Sequence, residues 1–120
     1  MGPMRVSEAF VDHVARSGRK LITITSGMGS IADNTSGGSI AYRISKAAVN
    51  MVMRSLAIDL APRGISCVVV NPGWVLTDIG GSHATLTPAE SVTMIRRLIE
   101  TLGPAQSGRF FNYDGREYAW

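Results

Sequence analysis

The chain has 120 residues, 45% hydrophobic and 18% charged, which suits one folded domain with its own core and excludes a disordered chain. Twelve basic and nine acidic residues leave a net charge of +3, and the basic residues are scattered, which argues against a nucleic-acid surface; Arg96 and Arg97 read as the wet side of a helix. No apolar stretch has the length of a membrane span, the start carries no apolar signal core, and a lone cysteine, Cys67, makes no disulfide framework, so a cytoplasmic protein is expected.

Residues 4–17 carry helical apolar spacing at Val6, Phe10, Val11 and Val14, and Gly18 can close that helix. Residues 21–25 form a short apolar, β-branched run and read as a buried strand. Residues 27–38, rich in Gly, Ser, Asn and Asp, read as loop. Residues 39–61 make one long helix that stops at Pro62-Arg63-Gly64. Residues 65–70 are a second strand, apolar almost throughout, as in a parallel sheet covered on both faces, and place Cys67 in the core. Asn71-Pro72-Gly73 breaks it, and residues 74–86 are loop. Thr87-Pro88-Ala89-Glu90 opens the next helix as a capping box with proline in the first turn, and Gly103-Pro104 closes it. Residues 109–113 are a last short strand. Three strands alternating with three helices predict an α/β fold with parallel strands and right-handed crossovers. The first strand of a doubly wound sheet normally precedes any helix, so the pattern is that of the second half of such a fold.

Tyr42 and Lys46 stand four apart on the long helix, which puts both on one face with Cβ atoms about 6 Å apart. A neighbouring ammonium favours the ionised form of a phenol, so the pair suits proton exchange with a hydroxyl or carbonyl. Short spacings match by chance, however, and a surface Tyr and Lys would look the same. Gly27-Met28-Gly29-Ser30-Ile31-Ala32 follows a strand and fits the dinucleotide fingerprint, yet no helix starts inside it and residues 44–58 hold no acid for a ribose. It reads as a loop at the carboxyl end of a strand, where α/β sheets keep their sites. Ser26 ends the first strand and can hold a substrate oxygen, with Ser30 as its rival; a turn serine is the plain alternative. The nucleophile elbow of hydrolases is absent, and His13 and His83 lie far from both serines. Asn71-Pro72-Gly73-Trp74-Val75-Leu76-Thr77-Asp78 is either ordinary punctuation or a turn that meets a planar ligand. One cysteine and two distant histidines make no metal set.

Taken in order, strand-end Ser26, then Tyr42-x-x-x-Lys46, then Asn71-Pro72-Gly73-x-Val75-x-Thr77, this chain resembles the carboxyl-terminal half of a short-chain dehydrogenase/reductase. The run from Tyr42 to Asn50, the loop from Gly29 to Gly38 and the ending from Gly108 to Gly115 with Trp120 resemble its C-factor-like and sniffer-type carbonyl reductase branch. The resemblance implies a partial Rossmann-like domain over residues 1–120 and a NAD(P)-dependent reduction of carbonyls or oxidation of alcohols. Tyr42 would exchange a proton with the substrate oxygen. Lys46 would ease its ionisation and bind the nicotinamide ribose. Ser26, preferred over Ser30, would hold the substrate oxygen. Pro72, Gly73, Val75 and Thr77, with Tyr42 and Lys46, would line the nicotinamide side of the cofactor. Residues 78–86 would be a mobile substrate loop. The helix of Tyr42 and the amino-terminal helix would form a homo-oligomer face, in a dimer or tetramer. The family's glycine-rich phosphate turn, its Asn-Ala-Gly strand and its catalytic asparagine are absent from these 120 residues. The expectation is therefore a shortened oxidoreductase with NAD against NADP undetermined, and the alternative is a non-catalytic dimerisation partner of full-length relatives.

Overall fold

The computed structural model describes all 120 residues. Its elements are α1 (Gly2–Arg16), β1 (Lys20–Ile24), α2 (Ile40–Asp59), β2 (Ser66–Asn71), α3 (Pro88–Thr101) and β3 (Phe110–Asn112). Single turns of 3₁₀ helix follow at Gly27–Gly29, Ala61–Arg63 and Pro104–Gln106. The strands form one parallel sheet in the order β1-β2-β3, with Leu21 opposite Cys67 and Val69 opposite Phe110. This is the α/β, Rossmann-like arrangement of three strands and three helices that the sequence predicts. Each strand end falls one residue from the expected span. Thr25, for example, still donates its N–H to the Val70 carbonyl but lies past the end of β1.

Every residue of β2 is buried because the strand is central and covered on both faces. The period of two then sorts its side chains. Cys67 and Val69 join Leu21 and Phe110 on one face, beneath Met53 and Ala57 of α2, with Val11 and Val14 of α1 at the margin. Val68 and Val70 join Phe111 on the other, against Ile95 and Leu98 of α3 and the following Leu102. Helices thus lie on both sides of the sheet.

The two crossovers are not both right-handed, contrary to what the alternation predicts. The strands are added in one direction across the sheet, yet α2 crosses on one face and α3 on the opposite face. Two parallel crossovers of that kind have opposite hands, so the right-handed rule holds for at most one of them. The reason lies in the second connection: residues 72–109 join β2 to β3 with a long loop on each side of α3, and that slack frees the helix from the side a short crossover imposes. The consequence is functional. The loop of residues 72–87 has to travel across the carboxyl ends of the strands before α3 begins.

Candidate active site

The carboxyl ends of β1 and β2 open into a cleft of about 1000 Å³. Ser26, Tyr42, Pro72, Gly73, Val75 and Thr77 all line it, although they come from three separate stretches of chain. Ser30 does not line it. That side chain is buried, and its hydroxyl accepts the Asp33 N–H. Lys46 is also outside the lining, but its ammonium nitrogen lies over the Tyr42 ring, 5.4 Å from the centroid. Lys46 takes part in none of the three ion pairs, which are Arg63–Asp12, Arg109–Glu117 and Arg116–Asp114.

Tyr42 is the third residue of α2, and the chain enters that helix by an uncommon route. Gly37, Gly38 and Ser39 all have positive φ, the last at 48°. A non-glycine residue there is costly and needs support from its surroundings. Arg43 supplies it, donating to the Gly38 and Gly37 carbonyls and to the Ser36 hydroxyl at 2.9–3.0 Å. The helix start, and with it Tyr42, is held by its own neighbour. Tyr42 is 41% exposed.

Ser26 caps the 3₁₀ turn, its hydroxyl oxygen accepting the Met28 N–H at 3.2 Å. One lone pair is thereby occupied and the O–H proton stays free to donate. The Gly27 N–H of the same turn donates to Asn71 Oδ1 at 3.0 Å, and Asn71 Nδ2 donates to Asn112 Oδ1 at 2.9 Å. The ends of all three strands are so tied by two buried amides. Gly27 and Gly29 are needed for close packing. A Cβ on Gly27 would lie 2.9 Å from the Tyr118 hydroxyl, and one on Gly29 would lie 3.0 Å from the backbone of Lys46. The next α-helix starts only at Ile40, so these glycines present no helix N-terminus to a phosphate.

The loop after β2 is closed by its own bonds. Trp74 Nε1 donates to the Gly80 carbonyl at 2.7 Å, the Gly80 N–H donates to the Thr77 hydroxyl at 3.0 Å, and Val75 bridges Leu86. Gly73, at φ 81°, passes between Leu86 and the Tyr113 ring, where a Cβ would come within 2.8 Å of both. Ser91 of α3 donates to the Pro72 carbonyl at 2.7 Å and pins the loop to the helix.

Three contributors escape a reading of the sequence. Tyr118, near the carboxyl terminus, lines the cleft while stacked on Phe110, with ring centroids 5.0 Å apart. Val92 and Arg96 bring one side of α3 to the rim, so Arg96 is a cleft residue and not merely a wet helix face. Only the fold places these side chains. The helical period shows that α3 has an apolar side and says nothing of where that side docks.

Across the whole chain, no three His, Cys, Asp or Glu side chains gather as a metal site, and no helix is long and apolar enough to cross a membrane. A nicotinamide ribose fits what is present. The cleft has its size, Pro72 and Val75 give an apolar wall, and the Lys46 ammonium lies free beside Tyr42.

A parallel sheet with a tyrosine–lysine helix and a proline–glycine loop at its carboxyl edge defines a class, and residues 1–86 match the family described as short chain dehydrogenase. The chain belongs to the short-chain dehydrogenase family. It is 48% identical over 121 residues to C-signal of Myxococcus xanthus, covering 100% of this chain and 73% of that one. It is 41% identical over 124 residues to 1-hydroxy-2-glutathionyl-2-methyl-3-butene dehydrogenase of Rhodococcus sp. (strain AD45), covering 100% and 54%. Among solved structures, the carbonyl reductase Sniffer of D. melanogaster superposes with a TM-score of 0.93 at 40% identity, over 98% of this chain and 52% of that one. The NADPH-bound carbonyl reductase from chicken fatty liver gives 0.91 at 34% identity, over 98% and 52%. The chain thus spans about half the length of these two structures and of the Rhodococcus dehydrogenase.

Proposed function

We propose that residues 1–120 form the site-bearing part of a carbonyl reductase that uses a nicotinamide cofactor. The observation that carries this reading is the single cleft lined jointly by Ser26, Tyr42, Pro72, Gly73, Val75 and Thr77. A bound nicotinamide supplies the hydride. The residues of this chain do the rest. Tyr42 gives a proton to the carbonyl oxygen as it becomes an alcohol, and takes it back in the reverse direction. Ser26 donates its free O–H to the same oxygen. Lys46 holds the sugar hydroxyls. Pro72, Gly73, Val75 and Thr77 bound the nicotinamide, and NAD and NADP both suit these contacts. The substrate is a small carbonyl or alcohol compound, seated between Trp74 and the Val92 side of α3. The test is consumption of NADPH and NADH by the purified chain with a panel of aldehydes and ketones. Turnover on none of them sinks the reading.

The same reading assigns the outer face of α2 to self-association. Ile40, Ile44, Met51 and Ile58 are exposed, and their spacing puts them on one stripe, turned away from the face of Tyr42 and Lys46. A homo-oligomer through this stripe is expected by light scattering, and Ile44→Asp with Met51→Asp should shift it to monomer.

A further inference from the structure

Residue 50 is an asparagine where the packing calls for an apolar side chain. It follows Tyr42 and Lys46 at intervals of four on the same face of α2 and is 4% exposed. Met53 and Ala57, next along that face, are ordinary core residues. A buried amide is costly unless its groups are paired, and here both are. Thr25 Oγ1 donates to Asn50 Oδ1 at 2.7 Å, and Asn50 Nδ2 donates to the Gly29 carbonyl at 3.2 Å. The Thr25 hydroxyl thus orients the amide and the amide holds the turn. Thr25 and Gly29 flank Ser26, one immediately before it and one at the end of the turn it caps.

The bridge does something the other bonds do not. The turn closes itself through the Gly29 N–H to the Ser26 carbonyl and the Ser30 N–H to the Gly27 carbonyl. Strand β1 is already held by β2. Asn71 grips the turn from the β2 side through the Gly27 N–H. The Asn50 side chain ties the turn to the helix that carries Tyr42. Gly29 lets the two surfaces meet, since a Cβ there would lie 3.0 Å from Asn50 Nδ2 and from Lys46.

We propose that Asn50, oriented by Thr25, is a positioning residue that sets the separation of Ser26 from Tyr42. The inference rests on the reading of those two as the groups that meet the substrate oxygen. Misplacement on the scale of an ångström is enough to cost roughly a hundredfold in rate, so such a fixture has kinetic weight.

The test uses the full chain with Thr25→Val, which removes the hydroxyl at constant shape, Thr25→Ser, which keeps it, and Asn50→Ala. Amide hydrogen exchange is followed at Gly29 and Ser30 and compared with Val68, Val69 and Val70. In Thr25→Val and Asn50→Ala the turn amides should exchange about tenfold faster or more while the β2 amides keep their rates. Their kcat for carbonyl reduction should fall roughly tenfold or more with KM within about twofold, and Thr25→Ser should restore both readouts. Exchange that accelerates equally in β2, or nowhere, overturns the proposal, as does a serine variant as impaired as the valine one. If the wild-type chain turns over no carbonyl, the oxidoreductase reading fails, and the exchange comparison still decides whether Asn50 fixes the turn.

Discussion

Tyr42 lets the proposed chemistry be tested apart from stability. Its ring is part-exposed at the start of α2, and none of the buried polar pairings of the core depends on its hydroxyl. Tyr42→Phe should therefore leave the thermal midpoint unchanged while removing roughly 10²–10⁴-fold of any carbonyl reductase rate, the usual worth of a placed proton donor. Thermal melts beside NADPH consumption check both halves. Cys67 is the contrasting residue, present for packing alone. Burial pushes its thiol pKa up to about 11. A thiol raised in the folded state contributes stability below its unfolded value near ~8.5, and that contribution is lost as pH climbs toward the folded value. A maleimide at neutral pH should leave Cys67 unmodified in the folded chain and label it fully in denaturant; labelling of the native chain would contradict its burial. At this scale the sequence showed what is local. The interval from Tyr42 to Lys46 is a fact of helical spacing, and the apolar run around Cys67 announces a buried strand. Tyr118 and Arg96 reach the cleft through contacts between distant parts of the chain, for which no local pattern exists.

Among the elements, α3 has the clearest start signal. Thr87 Oγ1 accepts the Glu90 N–H at 3.2 Å, and Glu90 Oε2 accepts the Thr87 N–H at 2.8 Å, the reciprocal pair that Thr-Pro-Ala-Glu predicts. The backbone hydrogen bond from Thr87, then the one from its hydroxyl, holds the Glu90 carboxyl below its ordinary value. A carboxylate lowered in the folded state stabilises it above the unfolded value near ~4.3, and that support is lost as pH falls through the folded value. Thr87→Ala should cost about 1 kcal/mol in urea unfolding near neutral pH, the usual price of a lost N-cap. The difference from wild type should narrow as pH falls below 4. A constant difference down to acid pH would show that the bond from the Thr87 hydroxyl to the Glu90 carboxylate adds nothing to the cap, since the Thr87 N–H bond to that carboxylate survives in the alanine variant. Helix α2 was legible over its length but not at its entry. The positive φ of Ser39 depends on a guanidinium returning from the first turn, and serine has no such preference of its own.

For the molecule as a whole, the parallel pairing of the strands follows from the alternation of β and α segments. The side on which α3 packs does not, because an apolar helix face fits either side of a two-faced sheet. That choice decides what the chain can bind, since it draws the loop after β2 over the strand ends and closes one wall of the cleft. The other part of a dinucleotide site is a glycine-rich turn feeding a helix N-terminus. Within these 120 residues the Gly27–Gly29 turn is packed against Tyr118, Asn71 and Lys46, and the first turn of α3 is occupied by its own Glu90. On the proposed reading the cleft residues meet the nicotinamide ribose, and none of them meets the adenylate. Reduced nicotinamide mononucleotide, NADH and NADPH should therefore bind this chain with affinities within about a factor of ten, a spread of ~1.4 kcal/mol. Trp74 lines the cleft, so quenching of its emission reports occupancy by all three. A dinucleotide favoured over the mononucleotide by about a hundredfold or more would require ~2.7 kcal/mol of adenylate contacts. No surface described in this chain supplies them, so that result would point to a second binding region outside the cleft.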